Sequence, residues 1–304
     1  MVLSMIAKSR MRGSYSHWDF TQLILMFLPM FVAYLIFTVY PVVQGIFYSF
    51  TDWNGFASNF HMIGLDNYKT LFTDYATIIP MKNTFIYAFL VTIIQNAIAL
   101  LAAVVINREL HTKNLLRTLL FIPVVLSPLI VGYIWSYLFT DPIESVGRLL
   151  HIDALAYNIL GNAAAALYVG VLVSVWKSLG YTMIIYIAAL QGISREVYEA
   201  SYIDGAAGFK KFRYITFPLI APAFTINMVL VMESAFKQFD LMFALTGGGP
   251  GNSSQLISLT IYNESFQFYR AGYGTTMGVI LFIIIVLLSL GELSWFRRRE
   301  ENIV

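Results

Sequence analysis

The chain has 304 residues, of which 58% are hydrophobic and only 12% are charged, and its formal net charge is +2. This composition excludes an ordinary soluble domain, in which about 25% of residues are charged, and it is typical of a protein with several membrane-spanning helices. The small net charge gives no support for nucleic-acid binding, and the absence of cysteine excludes disulfides and thiolate metal sites.

The chain begins with a polar, mildly basic segment over residues 1–21, which contains Lys8, Arg10 and Arg12. The apolar run that follows is longer than the hydrophobic region of a cleavable signal, and no small-residue cleavage site comes after it. We therefore expect residues 1–21 to form a tail and the apolar run to remain as the first membrane span.

Long apolar stretches recur along the rest of the chain. A helix needs about 20 predominantly apolar residues to cross the hydrocarbon core. Four charge-free stretches meet this length, and two more meet it if charged residues are tolerated inside them. The sequence therefore predicts an all-α membrane protein with six transmembrane helices in a domain over 22–295. The predicted spans are about 22–44, 84–106, 117–139, 163–190, 219–245 and 272–295.

Lys and Arg residues are distributed unevenly between the two sets of loops. Thirteen lie in the N-tail, in the segments 107–117 and 191–218 and in the C-tail 296–304, whereas the alternate loops contain four. Because basic residues are retained on the cytoplasmic side, both termini and the 191–218 loop are predicted to be cytoplasmic.

The 191–218 loop has the sequence pattern of two short helices joined by a turn. Ser194 can cap the first helix, and Gly205 can adopt the left-handed conformation that ends it. The second helix is predicted from about Ala207 to Phe217, and Pro218 is expected to break it. An alternative for such a loop is an interfacial helix that lies on lipid. The second helix is predicted to place Phe209, Phe212 and Ile215 on one side and Lys210, Lys211 and Arg213 on the other.

A glycine-rich segment, Gly247–Gly251 with Pro250 inside it, follows the predicted fifth span. Glycine and proline are unfavourable in the interior of a helix or strand, so this segment is predicted to be an external turn. The turn is either a simple connector or a contact for another protein.

Ionisable residues inside membrane spans are costly and normally face a cavity or a partner. Lys177 lies near the middle of the predicted fourth span, and Glu233, Lys237 and Asp240 are predicted to share one face of the fifth. With nearby aromatic and amide groups they supply what carbohydrate recognition requires. Alternatively, Glu233 and Lys237 pair with each other or with another chain and contact no substrate. The aromatic and amide candidates are Trp176, Tyr181 and Gln238, whereas Gln95, Asn96 and Tyr186 are expected to form hydrogen bonds between helices.

Several enzyme motifs do not occur in the sequence. The Gly-x4-Gly-Lys-Ser/Thr phosphate-binding loop, His-Glu-x-x-His and Gly-x-Ser-x-Gly are all missing, and the four histidines are scattered. We therefore expect no bound ATP, no metal site and no enzyme activity in this chain.

Several segments resemble binding-protein-dependent ABC importer permeases, in particular the carbohydrate-uptake branch. Glu199-Ala200-Ser201, followed by Asp204-Gly205-Ala206, resembles the coupling-loop signature of that family, with Ser201 in place of its second alanine. Ser49–Trp53, Trp176–Tyr181 and Leu245–Pro250 resemble other segments of the same permeases, so that the similarity covers nearly the whole chain.

The resemblance implies a type I ABC importer permease architecture with a cytoplasmic coupling helix and gives roles to particular residues. Coupling to an ATPase is implied for Glu199, Ala200, Ser201, Asp204, Gly205, Ala206, Phe209 and Phe212. Substrate binding is implied for Ser178, in addition to Trp176, Lys177, Tyr181, Glu233, Lys237, Gln238 and Asp240. Contact with a binding protein is implied for Gly248, Gly249 and Pro250.

The resemblance also implies a set of partners in the bacterial cytoplasmic (inner) membrane. They are a second homologous permease, an ATPase homodimer or ATPase pair that binds ATP and Mg, an extracytoplasmic solute-binding protein and membrane lipid. The implied substrate is a sugar or oligosaccharide. Two alternatives stay open: an anionic substrate such as a glycerol phosphate or a uronic-acid oligomer, with Lys177 or Lys237 as counter-charge, and a stand-alone proton-coupled secondary transporter.

Overall fold

The structure, a computed structural model, describes residues 17–108, 111–152 and 157–301. Over these residues the regular structure is helical, and the one strand-like pairing is an isolated bridge between Thr51 and Met62. The predictions for the tail before residue 17 and for residues 302–304 lie outside the described residues.

The helices are numbered here in chain order over the described residues. Helix α1 runs over His17–Tyr34, a π-helical turn at Leu35–Val39 and Tyr40–Tyr48, and is followed by α2 (Asp66–Thr73), α3 (Tyr75–Ile106), α4 (Lys113–Val125), α5 (Pro128–Thr140) and α6 (Pro142–Leu149). A 3-10 turn at Ile159–Gly161 precedes α7 (Ala166–Gln191), α8 (Arg195–Ile203), α9 (Gly208–Leu219), α10 (Ala221–Phe236), α11 (Asp240–Thr246), α12 (Ile257–Tyr262) and α13 (Ala271–Glu301).

Four of these helices are long and apolar enough to cross a membrane, namely Ile24–Tyr48 of α1, α3, α7 and Ala271–Arg298 of α13. Two bent pairs, α4 with α5–α6 and α9 with α10, meet the same criterion when each pair is counted as one span, which gives up to six. The prediction of an all-α membrane protein is thus confirmed. The predicted spans 22–44, 84–106, 163–190 and 272–295 overlap the four unbroken helices.

The predicted third span, 117–139, is not one continuous helix. Helix α4 ends at Val125, and after a break at Leu126–Ser127 the chain continues as α5–α6 at an angle of 97° to α4. Pro128 explains the break: proline disfavours helical backbone at the residue before it and supplies no N–H for the helix. Ser127 accordingly has extended backbone.

The predicted fifth span, 219–245, is also divided. Helices α9 and α10 meet at Ile220 with a bend of 71°, α10 ends at Phe236, and a separate short helix begins at Asp240. The break after Phe236 contains neither glycine nor proline. Asp240 lies in the first turn of α11, where a carboxylate is stabilised by the helix dipole.

Polar side chains join α3 to α7 in the interior of the bundle. Gln95 Nε2 donates a hydrogen bond to Thr182 Oγ1 at 2.7 Å, and the Tyr186 hydroxyl donates to Asn96 Oδ1 at 2.6 Å. All four residues are buried. The expected role of Gln95, Asn96 and Tyr186 in bonding between helices is confirmed.

Gly180→Ala is expected to lower the thermal stability of the protein. A Cβ at this position would clash with the carbonyl oxygen of Leu120 and lie 2.8 Å from Cα of Phe121, so α4 and α7 would have to separate. Overpacking of this kind destabilises by about 1–3 kcal/mol. The measurement is thermal unfolding of the detergent-solubilised protein.

The matched control is Gly278→Ala on α13, because a Cβ at Gly278 would meet nothing within 4 Å. Alanine is a better helix former than glycine by about 0.5–1 kcal/mol, so this variant should be neutral or slightly more stable. The same melting temperature for both variants would contradict the close packing of α4 on α7.

Candidate functional site

A cavity of 180 Å³ lies between α3, α7 and α10. Its walls combine aromatic, amide and hydroxyl side chains with short apolar ones, and no Asp, Glu, Lys, Arg or His is among the described residues that line it. The lining residues are Tyr87, Val91, Gln95, Val124, Ser174, Ser178, Tyr181, Leu230, Val231, Ser234, Ala235 and Gln238. Such a lining can hydrogen-bond a neutral polyhydroxylated molecule and pack against its apolar faces.

A second, more open cleft of 340 Å³ adjoins the cavity and shares Leu230, Ser234 and Gln238 with it. Glu233, Lys237 and Asp240 line this cleft together with Pro128 and Phe239. Lys237 Nζ lies 2.6 Å from Glu233 Oε1, and both side chains are partly exposed. The positive charge of Lys237 is therefore already compensated within the chain.

The structure brings most of the predicted substrate residues together, although by a route different from the predicted one. Glu233, Lys237 and Asp240 do not share the face of one helix, because α10 ends at Phe236. The turn at Lys237–Phe239 instead carries Asp240 back to the same cleft.

Two predicted substrate residues line neither space. Trp176 packs edge-on against Trp135 of α5, with ring centroids 5.5 Å apart. Lys177 is partly buried on α7 and lines neither the cavity nor the cleft.

Four polar residues that line the cavity were not predicted as substrate residues: Tyr87, Gln95, Ser174 and Ser234. The sequence held a signal for some of them. Ser174, Ser178 and Tyr181 follow one another at i, i+4 and i+7, which places them on one helical face. Tyr87 and Gln95 are spaced by two helical turns in the same way.

Buried polar contacts between α3, α7 and α10 adjoin the cavity at Gln95. Thr182 accepts the hydrogen bond from Gln95 through its hydroxyl, and its carbonyl accepts one from Asn227 Nδ2 at 3.2 Å. Asn227 is fully buried, and its Oδ1 has no hydrogen-bond partner among the described residues. A buried amide oxygen left unpaired is costly, so this group of polar contacts contributes less stability than a fully hydrogen-bonded one would.

Helices α8 and α9 form a bent element, the elbow, at one end of the bundle. Gly205 has a φ of +73°, as predicted for the residue that ends α8. The N–H groups of Gly205 and Ala206 donate to the carbonyls of Tyr202 and Ser201 at 3.1 and 2.9 Å, which is the paired pattern of a Schellman motif. The turn between the two helices is thereby fixed by backbone bonds.

The outer face of the elbow exposes large apolar side chains. Tyr202 and Ile203 at the end of α8 are 77% and 86% exposed, and Phe209 on α9 is 77% exposed. Tyr202 and Ile203 line an open groove of 400 Å³ along α8, together with Arg195, Tyr198 and Glu199. An exposed apolar patch that includes charged groups is typical of a protein–protein contact.

The remaining predicted coupling residues differ in accessibility. Ala200, Asp204 and Gly205 are exposed, whereas Ala206 and Phe212 are half-buried. Ser201 is 4% exposed, and its hydroxyl donates to the carbonyl of Tyr198 at 2.7 Å. Ser201 therefore packs toward the chain itself.

Three local predictions for the elbow are corrected by the structure. Ser194 occupies the cap position of α8, but its side chain makes no capping hydrogen bond. Pro218 lies inside α9, which ends at Leu219, so the bend comes at Ile220. Lys211 lines the same inner cavity as Phe212, its neighbour in the sequence, and does not lie on the opposite side of α9.

The glycine-rich turn packs back on the chain. Gly248, at a φ of +86°, is buried, and a Cβ there would lie 3.1 Å from side-chain atoms of Gln255 and Leu259. Gly249 and Pro250 are half-buried, and Ser254 Oγ donates to the carbonyl of Gly249 at 2.6 Å. Of the three predicted binding-protein contacts, Gly248 is thus shielded in the isolated chain.

No group of three or more His, Asp or Glu side chains within the described ranges is placed to hold a metal ion.

The chain is similar in sequence to several bacterial permeases. It is 35% identical to a "Probable starch degradation products transport system permease protein", AmyD, of Thermoanaerobacterium thermosulfurigenes, over 90% of this chain and 92% of the relative. It is 32% identical to the multiple sugar-binding transport system permease protein MsmF of Streptococcus mutans, over 93% of this chain and 97% of MsmF. It is 27% identical to the sn-glycerol-3-phosphate transport system permease protein UgpA of Agrobacterium fabrum, over 89% of this chain and 93% of UgpA.

The fold matches that of a solved bacterial alginate ABC transporter, crystallised in complex with an alginate pentasaccharide-bound periplasmic protein. The TM-score is 0.81 at 22% sequence identity, with 94% of this chain and 98% of the matched chain covered. The family model of the binding-protein-dependent transport system inner membrane component matches residues 95–301. The chain therefore belongs to the binding-protein-dependent transport system inner membrane components and is a multi-pass transport subunit rather than an enzyme.

Proposed function

We propose that the chain forms half of the translocation pore of an ATP-driven, binding-protein-dependent importer of sugars or oligosaccharides. The observation that carries this proposal is the elbow, whose outer face is apolar, exposed and shaped as a groove around Glu199. The relatives named for starch degradation products and multiple sugars support the substrate class.

The proposed mechanism is alternating access driven by an ATPase that is a separate chain. ATP and Mg are bound by that ATPase, and the elbow is seated on it as a rigid lever, since its turn is fixed by backbone hydrogen bonds. Closure of the ATPase dimer moves the elbow and opens the pore outward, where a loaded solute-binding protein delivers the substrate. The coupling requires the elbow to make different contacts in the two states.

The proposed orientation places the elbow in the cytoplasm together with both chain ends. Arg108 just after the end of α3 and Lys211 of the elbow line one cavity. The ring of Phe296 near the end of α13 packs against that of Phe224 in the first turn of α10, with ring centroids 5.5 Å apart. Three of the basic segments therefore meet at one end of the bundle. Such clustering of basic residues supports a cytoplasmic location for this end in the inner membrane.

The cavity favours a neutral sugar over the anionic alternative. Its polar lining consists of hydroxyl and amide groups, and Lys237 in the adjoining cleft is paired with Glu233. The cavity alone, at 180 Å³, is smaller than the roughly 300–1,000 Å³ of most ligand sites. A second, homologous permease facing the open cleft would complete the site.

A crosslinking experiment tests the docking of the elbow on an ATPase. The natural chain contains no cysteine, so Ile203→Cys introduces a single reactive thiol on the exposed face of α8. We expect a short thiol-directed photocrosslinker at this position to trap an ATPase subunit in native membranes. The adduct is identified by mass spectrometry.

The matched control is Ser201→Cys, two residues away on the same helix but 4% exposed. It should give little or no ATPase adduct. Adducts from Ile203→Cys that contain only phospholipid would contradict the proposal and would favour the interfacial helix instead. Uptake driven by a proton gradient without any ATPase would favour a stand-alone secondary transporter.

A further inference from the structure

A separate cavity of 460 Å³ lies between the elbow and the ends of α3 and α7. It has no residue in common with the 180 Å³ cavity between α3, α7 and α10. The residues that line it come from the end of α3, the end of α7 and both helices of the elbow. They are Val104, Asn107, Arg108, Leu190, Tyr198, Gly208, Lys211, Phe212 and Thr216.

The charge in this cavity is positive and uncompensated within the described residues. Arg108 and Lys211 both line it, and no carboxylate is among the described residues that do. The ion pairs of the described chain involve neither of these two side chains. Lys211 Nζ lies 5.2 Å from the ring centroid of Tyr198, a contact that places the ammonium group without neutralising it.

The other polar groups of the cavity are neutral and can donate hydrogen bonds. Asn107 supplies an amide, and Tyr198 and Thr216 supply hydroxyls. A guanidinium, an ammonium and neutral donors around one space match the several acceptor oxygens of a phosphate group, to which charged donors form the stronger hydrogen bonds. A neutral sugar would offer these two cations no counter-charge.

The remaining wall is apolar and lies where the long helices end. Val104 and Leu190 belong to the last turns of α3 and α7, and Phe212 covers them from the elbow. Basic pockets between transmembrane helices on the cytoplasmic side are suited to anionic lipid headgroups, whose glycerol and first acyl carbons need an apolar surface. The combination therefore favours a lipid over a free ion.

We propose that this cavity binds a phosphate group, held by Arg108 and Lys211, and that an anionic phospholipid headgroup is its source. Arg108 belongs to the body of the bundle, whereas Lys211 belongs to the elbow. A phosphate between them stabilises the position of the elbow relative to α3. This binding does not depend on coupling to an ATPase, and its test reports on the cavity alone.

The test compares lipid binding by the full-length chain, in the assembly in which it is extracted from membranes. The protein is delipidated and titrated with phosphatidylglycerol or phosphatidylcholine, and bound lipid is counted by native mass spectrometry. Each basic residue near an anionic headgroup is worth about a fivefold change in affinity, so Arg108→Gln combined with Lys211→Gln should weaken phosphatidylglycerol binding about 30-fold. Phosphatidylcholine binding should be unchanged.

Two further variants separate the cavity from general surface charge and from misfolding. Lys210→Gln combined with Arg213→Gln removes the same charge from exposed positions of α9 that do not line the cavity, and it should bind phosphatidylglycerol normally. Arg108→Lys combined with Lys211→Arg keeps both charges and should retain at least a third of the affinity.

A parallel titration with inorganic phosphate in place of chloride, at equal ionic strength, identifies the source of the phosphate. If thermal stabilisation by inorganic phosphate requires Arg108 and Lys211 while lipid binding does not, the site holds a soluble phosphate compound. Equal loss of phosphatidylglycerol binding in the two charge-removing variants would overturn the proposal. The proposal would also be overturned if removing the charges of Arg108 and Lys211 changed neither lipid binding nor phosphate binding.

Discussion

Glu199→Lys is expected to lower substrate uptake by about 100-fold while leaving the amount of protein in the membrane unchanged. Glu199 lies in the exposed groove of α8, and its side chain makes no hydrogen bond or ion pair with a described residue, so its replacement removes no contact that stabilises the fold. In the proposed docked state, the surface of the ATPase would exclude water from the groove. Disrupting a buried charge pair at an interface costs about 2–5 kcal/mol, which corresponds to a loss of roughly 30- to several thousand-fold.

The matched control is Glu196→Lys, which reverses the same charge on the same helix. Glu196 is exposed in the first turn of α8 but does not line the groove. A lysine in the first turn loses the favourable interaction of a carboxylate with the helix dipole, about 0.3–1 kcal/mol, so uptake should fall no more than a few-fold. Uptake is measured with the labelled sugar that the unmodified assembly imports, in cells or proteoliposomes, together with ATPase activity of the purified assembly.

Three results would be informative against this interpretation. Normal uptake in Glu199→Lys would contradict docking through the groove. Equal losses in the two variants would indicate a general effect of elbow charge. A loss of uptake with full retention of transport-stimulated ATP hydrolysis would place the role of Glu199 elsewhere than in coupling.

Much of the architecture could be predicted because apolar length and glycine conformation are local properties. The spans within α1, α3, α7 and α13 follow from uninterrupted apolar sequence, since a membrane imposes its own thickness on a helix. Gly205 was predicted to end α8 because few other residues adopt its left-handed backbone without strain. In both cases, the residues of one short segment are enough to predict the local structure.

The breaks in the third and fifth predicted spans were missed for two different reasons. Ser127-Pro128 is a local helix-breaking signal, but averaging of hydropathy over a long window conceals it. The break at Lys237–Phe239 has no glycine or proline, and it depends on the packing of α11 against α5, where Ala244 meets Gly132. Tertiary packing of this kind overrides helix propensity and cannot be inferred from the segment itself.

The rotation of α7 about its axis could not be predicted either. Most of its residues are apolar on every side, so the sequence gives little indication of which face meets the cavity. Ser178 and Tyr181 line the cavity, whereas Trp176 is directed toward Trp135 and Lys177 lines neither space. The sequence therefore identified the stretch of α7 that faces the cavity but only some of the side chains that line it, and substrate binding by these residues stays a prediction.

Ser178→Phe is expected to abolish uptake, with a loss of at least 100-fold. Ser178 lines the 180 Å³ cavity together with Tyr181 and Gln238, and a benzyl group at this position would occupy most of the space between α7 and α10. Because the interior of the helix bundle is close-packed around the cavity, the extra volume cannot be absorbed by small shifts of the neighbouring side chains. The substrate would then have no room to pass.

The control is Ala188→Phe, which adds comparable bulk at an exposed position of the same helix. We expect it to retain most of the uptake and to show the same expression and melting temperature as the unmodified protein. For Ser178→Phe the melting temperature decides the interpretation: a folded protein that still hydrolyses ATP but transports nothing supports a block of the pathway. A folded Ser178→Phe variant with normal uptake would show that the substrate does not pass through this cavity, because no sugar can cross a space that a phenyl ring has filled.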